Sequence, residues 1–324
     1  LNPFKEAMPT KITSRILKQL NLPGLDEVLI NKLSFSELQS LLLYVFNRKV
    51  ARLNASSLFS DYRNNRLVQP SILDPGKFLE LESGLFSLLP DGFLPVELSP
   101  VTSLGTSSLM GPVNQDIIIS TIRNCEVVSD VTNVMALECA RRRMELLRQD
   151  KRAITHVKLA TAHRQMRTQP VTDKNHTAHF KIFALCTAGR DEGSDHFEQA
   201  ALLEHAGFYF RIIEEILNPD RIKKKILRIF SYDEDKNAAL METVNTIIRL
   251  GKDIEPVIEK NSDYGKNYYH RLRFMIDLTG TNNQTYNLID GGFTDWTRSL
   301  MKNNKERLMT SGIGTELMMK VFFH

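Results

Sequence analysis

Cysteine is scarce: the 324 residues hold three, Cys125, Cys139 and Cys186, too far apart in sequence for any Cys-x-x-Cys pair. That spacing argues against a disulfide framework or a thiolate zinc site and fits a reducing, cytoplasmic setting. Long apolar runs are missing too. None approaches the roughly 18 residues that a membrane helix needs, and the start lacks the charged-then-apolar layout of a secretory signal, so no membrane partner is expected. Charge of one sign is also lacking, with 42 Lys and Arg against 38 Asp and Glu. A formal charge of +4 is far from the concentrated positive field of a chain that binds nucleic acid chiefly through phosphates. The short signatures of phosphate-cradling loops, dinucleotide turns, helical zinc pairs and nucleophile elbows are all absent. The eight histidines show no ligand spacing on one face, and no metal is predicted.

What is present is an ordinary globular composition, 42% hydrophobic and 25% charged, ample for a sizeable core. The first ninety residues read as helices. Ile12, Ile16, Leu17 and Leu20 recur at helical spacing until Pro23-Gly24, and a second helix follows near Asp26. Ser34 and Glu37 stand at capping-box spacing before the stripe Leu38, Leu41, Leu42, Val45, Phe46, which predicts a third. A fourth is expected over 78–89, after Asp74-Pro75-Gly76. From about residue 91 the texture changes to short β-branched or aromatic runs, at 93–98, 116–122, 126–128, 155–162, 179–186, 224–230, 269–278, 286–289 and 307–310. Amphipathic helices alternate with them at 131–147, 197–217, 236–250 and from about 313. Hairpin-length loops join several of these strands. The expected fold is therefore α+β, an antiparallel sheet flanked by helices over 91–324, behind an N-terminal helical region over 1–90.

Five longer segments carry more information. Asp91 to Pro100 is a tight turn, a strand and a proline. Lys158 to Gln169 contains Arg164 and Arg167 and is followed, after a loop, by His179, Phe180, Lys181 and Gly189. Val128-Ser129-Asp130-Val131-Thr132 opens a helix, and Gly265-Lys266-Asn267-Tyr268-Tyr269 leads into a strand. The last runs from Tyr286 through Asp290, Gly291 and Gly292 to Trp296 and on to Ser311-Gly312-Ile313-Gly314-Thr315-Glu316-Leu317. In this order the segments resemble the motifs of the class II aminoacyl-tRNA synthetase core across about residues 91–320. The nearest members are the histidyl-tRNA synthetases and the synthetase-like regulatory subunit of ATP phosphoribosyltransferase.

The resemblance implies a homodimer through 91–100 and a small-molecule pocket. Its nucleotide end would use Arg164 on a phosphate, Phe180 as a platform for a purine, Arg167, and Gly312 and Gly314 for close backbone approach. Its amino-acid end would use Asp130, Thr132, Tyr268, Tyr269, Gly291 and Gly292. ATP with Mg²⁺ would be the implied cofactor of an active member. Several positions depart from that pattern. Met166 and Cys186 stand where the family has acidic residues, Leu317 and Tyr264 where it has arginines, and Val128 or Ser129 where a further arginine is expected. Each missing charge-assisted contact forfeits about 1.5–3 kcal/mol, so ATP-dependent activation is not expected to be efficient. The sequence ends soon after the last segment, which leads to the expectation of no anticodon-binding domain.

Three function classes follow: a binding or regulatory paralogue, a ligase forming an adenylate, and a structural interaction module contacting partners through its front helices. Under the ligase reading Arg167, Lys181 and Arg190 are the candidates to replace lost side chains. His176 and His179 lie in or beside the loop after Arg164. The basic runs at 141–143, with Arg148 and Arg152, and at 223–225 are expected to be solvated faces rather than RNA contacts.

Overall fold

The computed structural model describes residues 10–111, 113–169, 177–233 and 237–323; His176 and Lys236, the first residue of one expected helix, lie outside them. The chain opens with α1 (Lys11–Leu20), α2 (Leu25–Asn31), α3 (Phe35–Val50) and α4 (Ala55–Asn64). The Ser34–Glu37 capping box forms as its spacing predicts, with the Ser34 hydroxyl accepting from the Glu37 N–H and the Glu37 carboxylate accepting from the Ser34 N–H. These four helices contain no buried residue, so their apolar stripes, Ile12 to Leu20 on α1 and Leu41 to Phe46 on α3 among them, face outward. The next helix differs. Asp74 caps it and Pro75 starts it, the favourable position for a residue without a donor, and α5 (Pro75–Ser87) sends Phe78, Leu81 and Leu85 into the main core.

After α5 come β1 (Leu94–Pro95), β2 (Val101–Ser103), α6 (Thr106–Met110), β3 (Cys125–Val127), α7 (Val131–Gln149), β4 (Val157–Met166), β5 (His179–Arg190), α8 (His196–Glu215), β6 (Ile222–Ser231), α9 (Ala238–Leu250), β7 (Ile254–Lys260), β8 (His270–Gly280), β9 (Thr285–Thr294), α10 (Trp296–Met301), β10 (Glu306–Gly314) and α11 (Thr315–Val321). Eight strands form one sheet in the order β1-β4-β5-β10-β9-β8-β6-β7, while β2 and β3 pair apart from it. Pairing is antiparallel through the middle six strands, as expected, and parallel at both edges, β1 on β4 and β7 on β6. The expected strand over 116–122 is not one. A short 3₁₀ turn, Gln115–Ile117, takes its start, capped by Asn114, and one bridge from Ser120 to Glu126 is all that pairs.

The period-two alternation of β5 places the sheet between two helix layers. Phe183 and Leu185 face the core shared with α5, α8 and α9. Ala184, Cys186 and Ala188 face α7, and their small side chains let Val131, Met135, Ala136 and Cys139 pack close. Cys186 is therefore a core residue. Burial first, then its neighbour Cys139, pushes its thiol well above the ordinary range. The basic run at 141–143 also needs a correction. Arg141 and Arg142 pair with Glu138 on the helix surface, but Arg143 is 0% exposed and binds Glu306 across the interior. Among the described residues no helix is long and apolar enough to cross a membrane.

Candidate functional site

A cleft of about 560 Å³ opens on the sheet where α7 starts, the β4–β5 hairpin ends and β10 passes into α11. Its polar end is a closed set of hydrogen bonds. Asp130, which caps α7, accepts at Oδ1 from the Thr132 N–H (3.1 Å) and hydroxyl (2.7 Å). The Tyr268 hydroxyl donates to Asp130 Oδ2 at 2.8 Å and lies 2.9 Å from the Thr132 hydroxyl. The ring of Tyr268 meets those of Tyr269 and Trp296 edge-on at 4.7 and 5.0 Å. Burial first, then the Asp130 carboxylate, raises the Tyr268 phenol well above its ordinary range; for Tyr269 burial and Asp290 do the same. Both remain neutral hydroxyls at physiological pH, donors rather than bases.

Beside this set Arg273 clamps Asp290 with two bonds of 2.8 and 2.7 Å while its guanidinium stacks against Tyr264, Tyr269 and Phe230 at 4.8, 5.2 and 5.6 Å. Burial works against this charge and the Asp290 carboxylate outweighs it, holding Arg273 more firmly protonated than usual. Arg273 lies outside the five motif segments of the sequence. Its signal was an arginine leading directly into an apolar stretch of β8, Arg273-Phe274-Met275-Ile276. At the other end Arg167 donates to the Ser129 carbonyl at 2.9 Å and lies 5.6 Å from the Phe180 ring centroid.

Of the eleven residues singled out from the sequence, Asp130, Thr132, Arg167, Phe180, Tyr268, Tyr269, Gly312 and Gly314 line this cleft. Three do not. A Cβ on Gly291 would lie 2.5 Å from that of Ser311, and one on Gly292 would lie 2.6 Å from the Leu272 carbonyl oxygen; these glycines let β9 fit between β8 and β10. Arg164 points into the cleft wall, its NH1 2.6 Å from Glu316 Oε1 and 2.8 Å from His179 Nδ1. Lys181 lines the cleft but is tied to both Glu82 oxygens at 2.7 and 2.9 Å. Arg190 lies at the far end of β5, bonded to the Lys151 carbonyl.

The lining carries Asp130, Asp290 and Glu316 against Arg167, Lys181 and Arg273, a balance suited to a small zwitterion and poor for a polyphosphate. The Arg167 guanidinium lies over the Phe180 ring, 5.6 Å from its centroid, on the face that a purine would use. The residues as arranged do not fit ATP with Mg²⁺, and no step through that nucleotide follows from them.

No family model matches the chain, and no curated protein is similar enough to match it. Solved structures do match. Histidyl-tRNA synthetase from Nostoc sp. PCC 7120 superposes with a TM-score of 0.58 at 14% identity, over 78% of this chain and 73% of that one. The S. aureus histidyl-tRNA synthetase gives 0.56 at 17% identity, over 78% and 68%. A protein described as an ATP phosphoribosyltransferase regulatory subunit/histidyl-tRNA synthetase from Bacillus halodurans gives 0.53 at 12%, over 78% and 81%. The chain therefore has a class II synthetase-like α+β core, the fold that the motif resemblance implied.

Proposed function

We propose, starting from that synthetase-like core, that the cleft holds a small zwitterionic ligand of the amino-acid class and that the chain serves binding or regulation rather than activation. The observation that carries this reading is the charge balance of the lining together with the Asp130–Thr132–Tyr268 set. Asp130 and Arg167 form a loose, partly exposed ion pair at 3.9 Å, which a zwitterion would part, its ammonium taking the carboxylate and its carboxylate the guanidinium. The likeness to the regulatory-subunit structure supports a binding role, and Leu317 and Tyr264, where the resemblance expects arginines, weigh against activation. The three thiols, none in a disulfide, are in keeping with a cytoplasmic protein.

Calorimetric titration with each of the twenty amino acids tests the reading. We expect one or a few to bind. Tyr268→Phe, which strips one donor from Asp130, should weaken that binding on the order of tenfold, the equivalent of one hydrogen bond to a charged group. Silence with all twenty at millimolar concentration would sink the proposal, and exchange of labelled pyrophosphate into ATP driven by an amino acid would move it to the ligase reading.

The same proposal carries a homodimer formed through 91–100, where β1 is a two-residue edge strand with an exposed Leu94. Light scattering at micromolar concentration should give twice the chain mass of 37.1 kDa; a monomer would remove the dimer and leave the ligand reading standing.

A further inference from the structure

The front segment carries charge that the rest of the chain does not. Residues 10–72 hold nine Lys and Arg against four Asp and Glu, a net of +5 in a chain whose total is +4. Everything else together is slightly acidic. Within that segment α1 has no acidic residue at all. At about 100° per residue its Lys11, Arg15 and Lys18 fall within about 60° of one another, and Ile12, Ile16 and Leu20 form a second stripe centred about 130° away.

The apolar stripe is open to solvent, with Ile12, Ile16 and Leu20 63, 44 and 51% exposed. Single apolar residues scattered over a surface are ordinary; a periodic stripe opposite a basic face is the pattern of a helix that lies in a lipid interface. What fastens the segment to the body comes after α4. There Arg66 reaches the carbonyls of Thr168 and Gln169, and the Gln69 carbonyl accepts from His179. Since α1 buries none of its own residues, its stripe is left to meet something outside the chain.

We propose that α1 seats the protein on an anionic phospholipid surface, with its apolar stripe among the acyl chains and Lys11, Arg15 and Lys18 at the headgroup phosphates. The inference is independent of what the cleft holds. The expectation of no membrane partner rested on the want of a spanning run, and no described helix is long and apolar enough to cross a membrane. Spanning needs such a run, whereas lying on the surface needs only an amphipathic helix. Two other partners fit this face less well. RNA would take the three cations and leave Ile12, Ile16 and Leu20 in water, and a second copy docked face to face would bring like charges together.

The test is co-sedimentation of the full chain with phosphatidylcholine vesicles and with vesicles holding phosphatidylcholine and phosphatidylglycerol in roughly equal amounts. The wild type should partition to the anionic vesicles about tenfold or more better than to the neutral ones, and salt should weaken that binding. Lys11→Glu/Arg15→Glu/Lys18→Glu should abolish the preference, and Ile12→Ser/Ile16→Ser should lower binding to both kinds of vesicle. Melting curves check that each variant keeps the wild-type fold. Should charge reversal disturb it, Lys11→Gln/Arg15→Gln/Lys18→Gln should give a smaller loss of the same kind.

No sedimentation with anionic vesicles overturns the proposal, as does equal binding by the wild type and the folded charge-reversed variant. So does a chain that ignores vesicles but binds RNA in a salt-dependent way, or one whose dimer is lost in Ile12→Ser/Ile16→Ser, since the face then belongs to RNA or to a second copy. The amino-acid titrations stand or fall without reference to these results.

Discussion

Arg143→Ala should lower the stability of the folded chain by about 3–5 kcal/mol, the usual cost of breaking a buried ion pair from one side. The side chain is fully enclosed, and four of its five N–H donors are used. Nε and NH2 reach the two Glu306 oxygens at 2.9 and 3.0 Å, NH1 reaches the Thr155 carbonyl at 2.7 Å, and NH2 also reaches the Ala153 carbonyl at 3.2 Å. Alanine would leave Glu306 charged at 1% exposure, with two backbone carbonyls short of a donor. The melting temperature should fall by roughly 4–7 °C for a chain of this size. Arg143→Met with Glu306→Leu should recover much of the loss, because both charges then leave the interior together. A single-mutant shift under about 2 °C would show that the pair is reached by water.

Acid should destabilise the protein earlier than its carboxylates require, through His205. The imidazole is buried between β5 and β10, with Nε2 2.9 Å from the Thr187 hydroxyl and Nδ1 2.7 Å from the Ser311 hydroxyl. Ser311 accepts from the Tyr209 hydroxyl at 2.8 Å, and a neutral imidazole satisfies both hydroxyls by donating to one and accepting from the other. Burial first, then the nearby Lys158, brings its pKa to about 3, against about 6.5 unfolded. The sign follows from proton counts. Between those values the unfolded chain binds a proton that the folded chain does not, so folding is favoured above pH 6.5 and loses stability as pH falls toward 3. The slope from this group approaches 1.4 kcal/mol per pH unit, about 3–5 kcal/mol over the full window. His205→Gln should flatten the dependence of melting temperature on pH between 6.5 and 4, whatever it costs at neutral pH. Parallel curves for the two proteins would assign the acid sensitivity elsewhere.

The helices with dense apolar periodicity and the central strands were legible because each follows its repeat over many residues. The capping box at Ser34 and the alternation of β5 are cases where local chemistry and tertiary packing agree. Hidden elements were those with little pattern of their own. β7 reads Ile254-Glu255-Pro256-Val257-Ile258-Glu259-Lys260 and lies exposed at an edge, where nothing forces alternation, and α10 covers only six residues. The run at 116–122 misled because β-branched residues serve a turn as well as a strand when one of them, Ile118, finds a buried place.

In the cleft, the motif segments brought eight of the eleven singled-out residues to one lining. They could not show that Arg164 is held by Glu316, that Arg273 and Asp290 are clamped, or that Arg143 is interior. Each of those is a pairing between distant segments, and a single charged residue in a sequence does not say which opposite charge it will meet.

Between residues 66 and 69 the front segment touches the site through main-chain oxygens: those of Thr168 and Gln169 receive Arg66, and that of Gln69 receives His179. Every residue type supplies the same carbonyl. This tether asks nothing of the side chains at 69, 168 and 169; it rests on Arg66 and His179, with the Glu82–Lys181 ion pair as a second link among the described residues. Across diverging copies of this gene, the link between extension and cleft would be inherited through Arg66, His179, the Glu82–Lys181 pair and the path of the backbone.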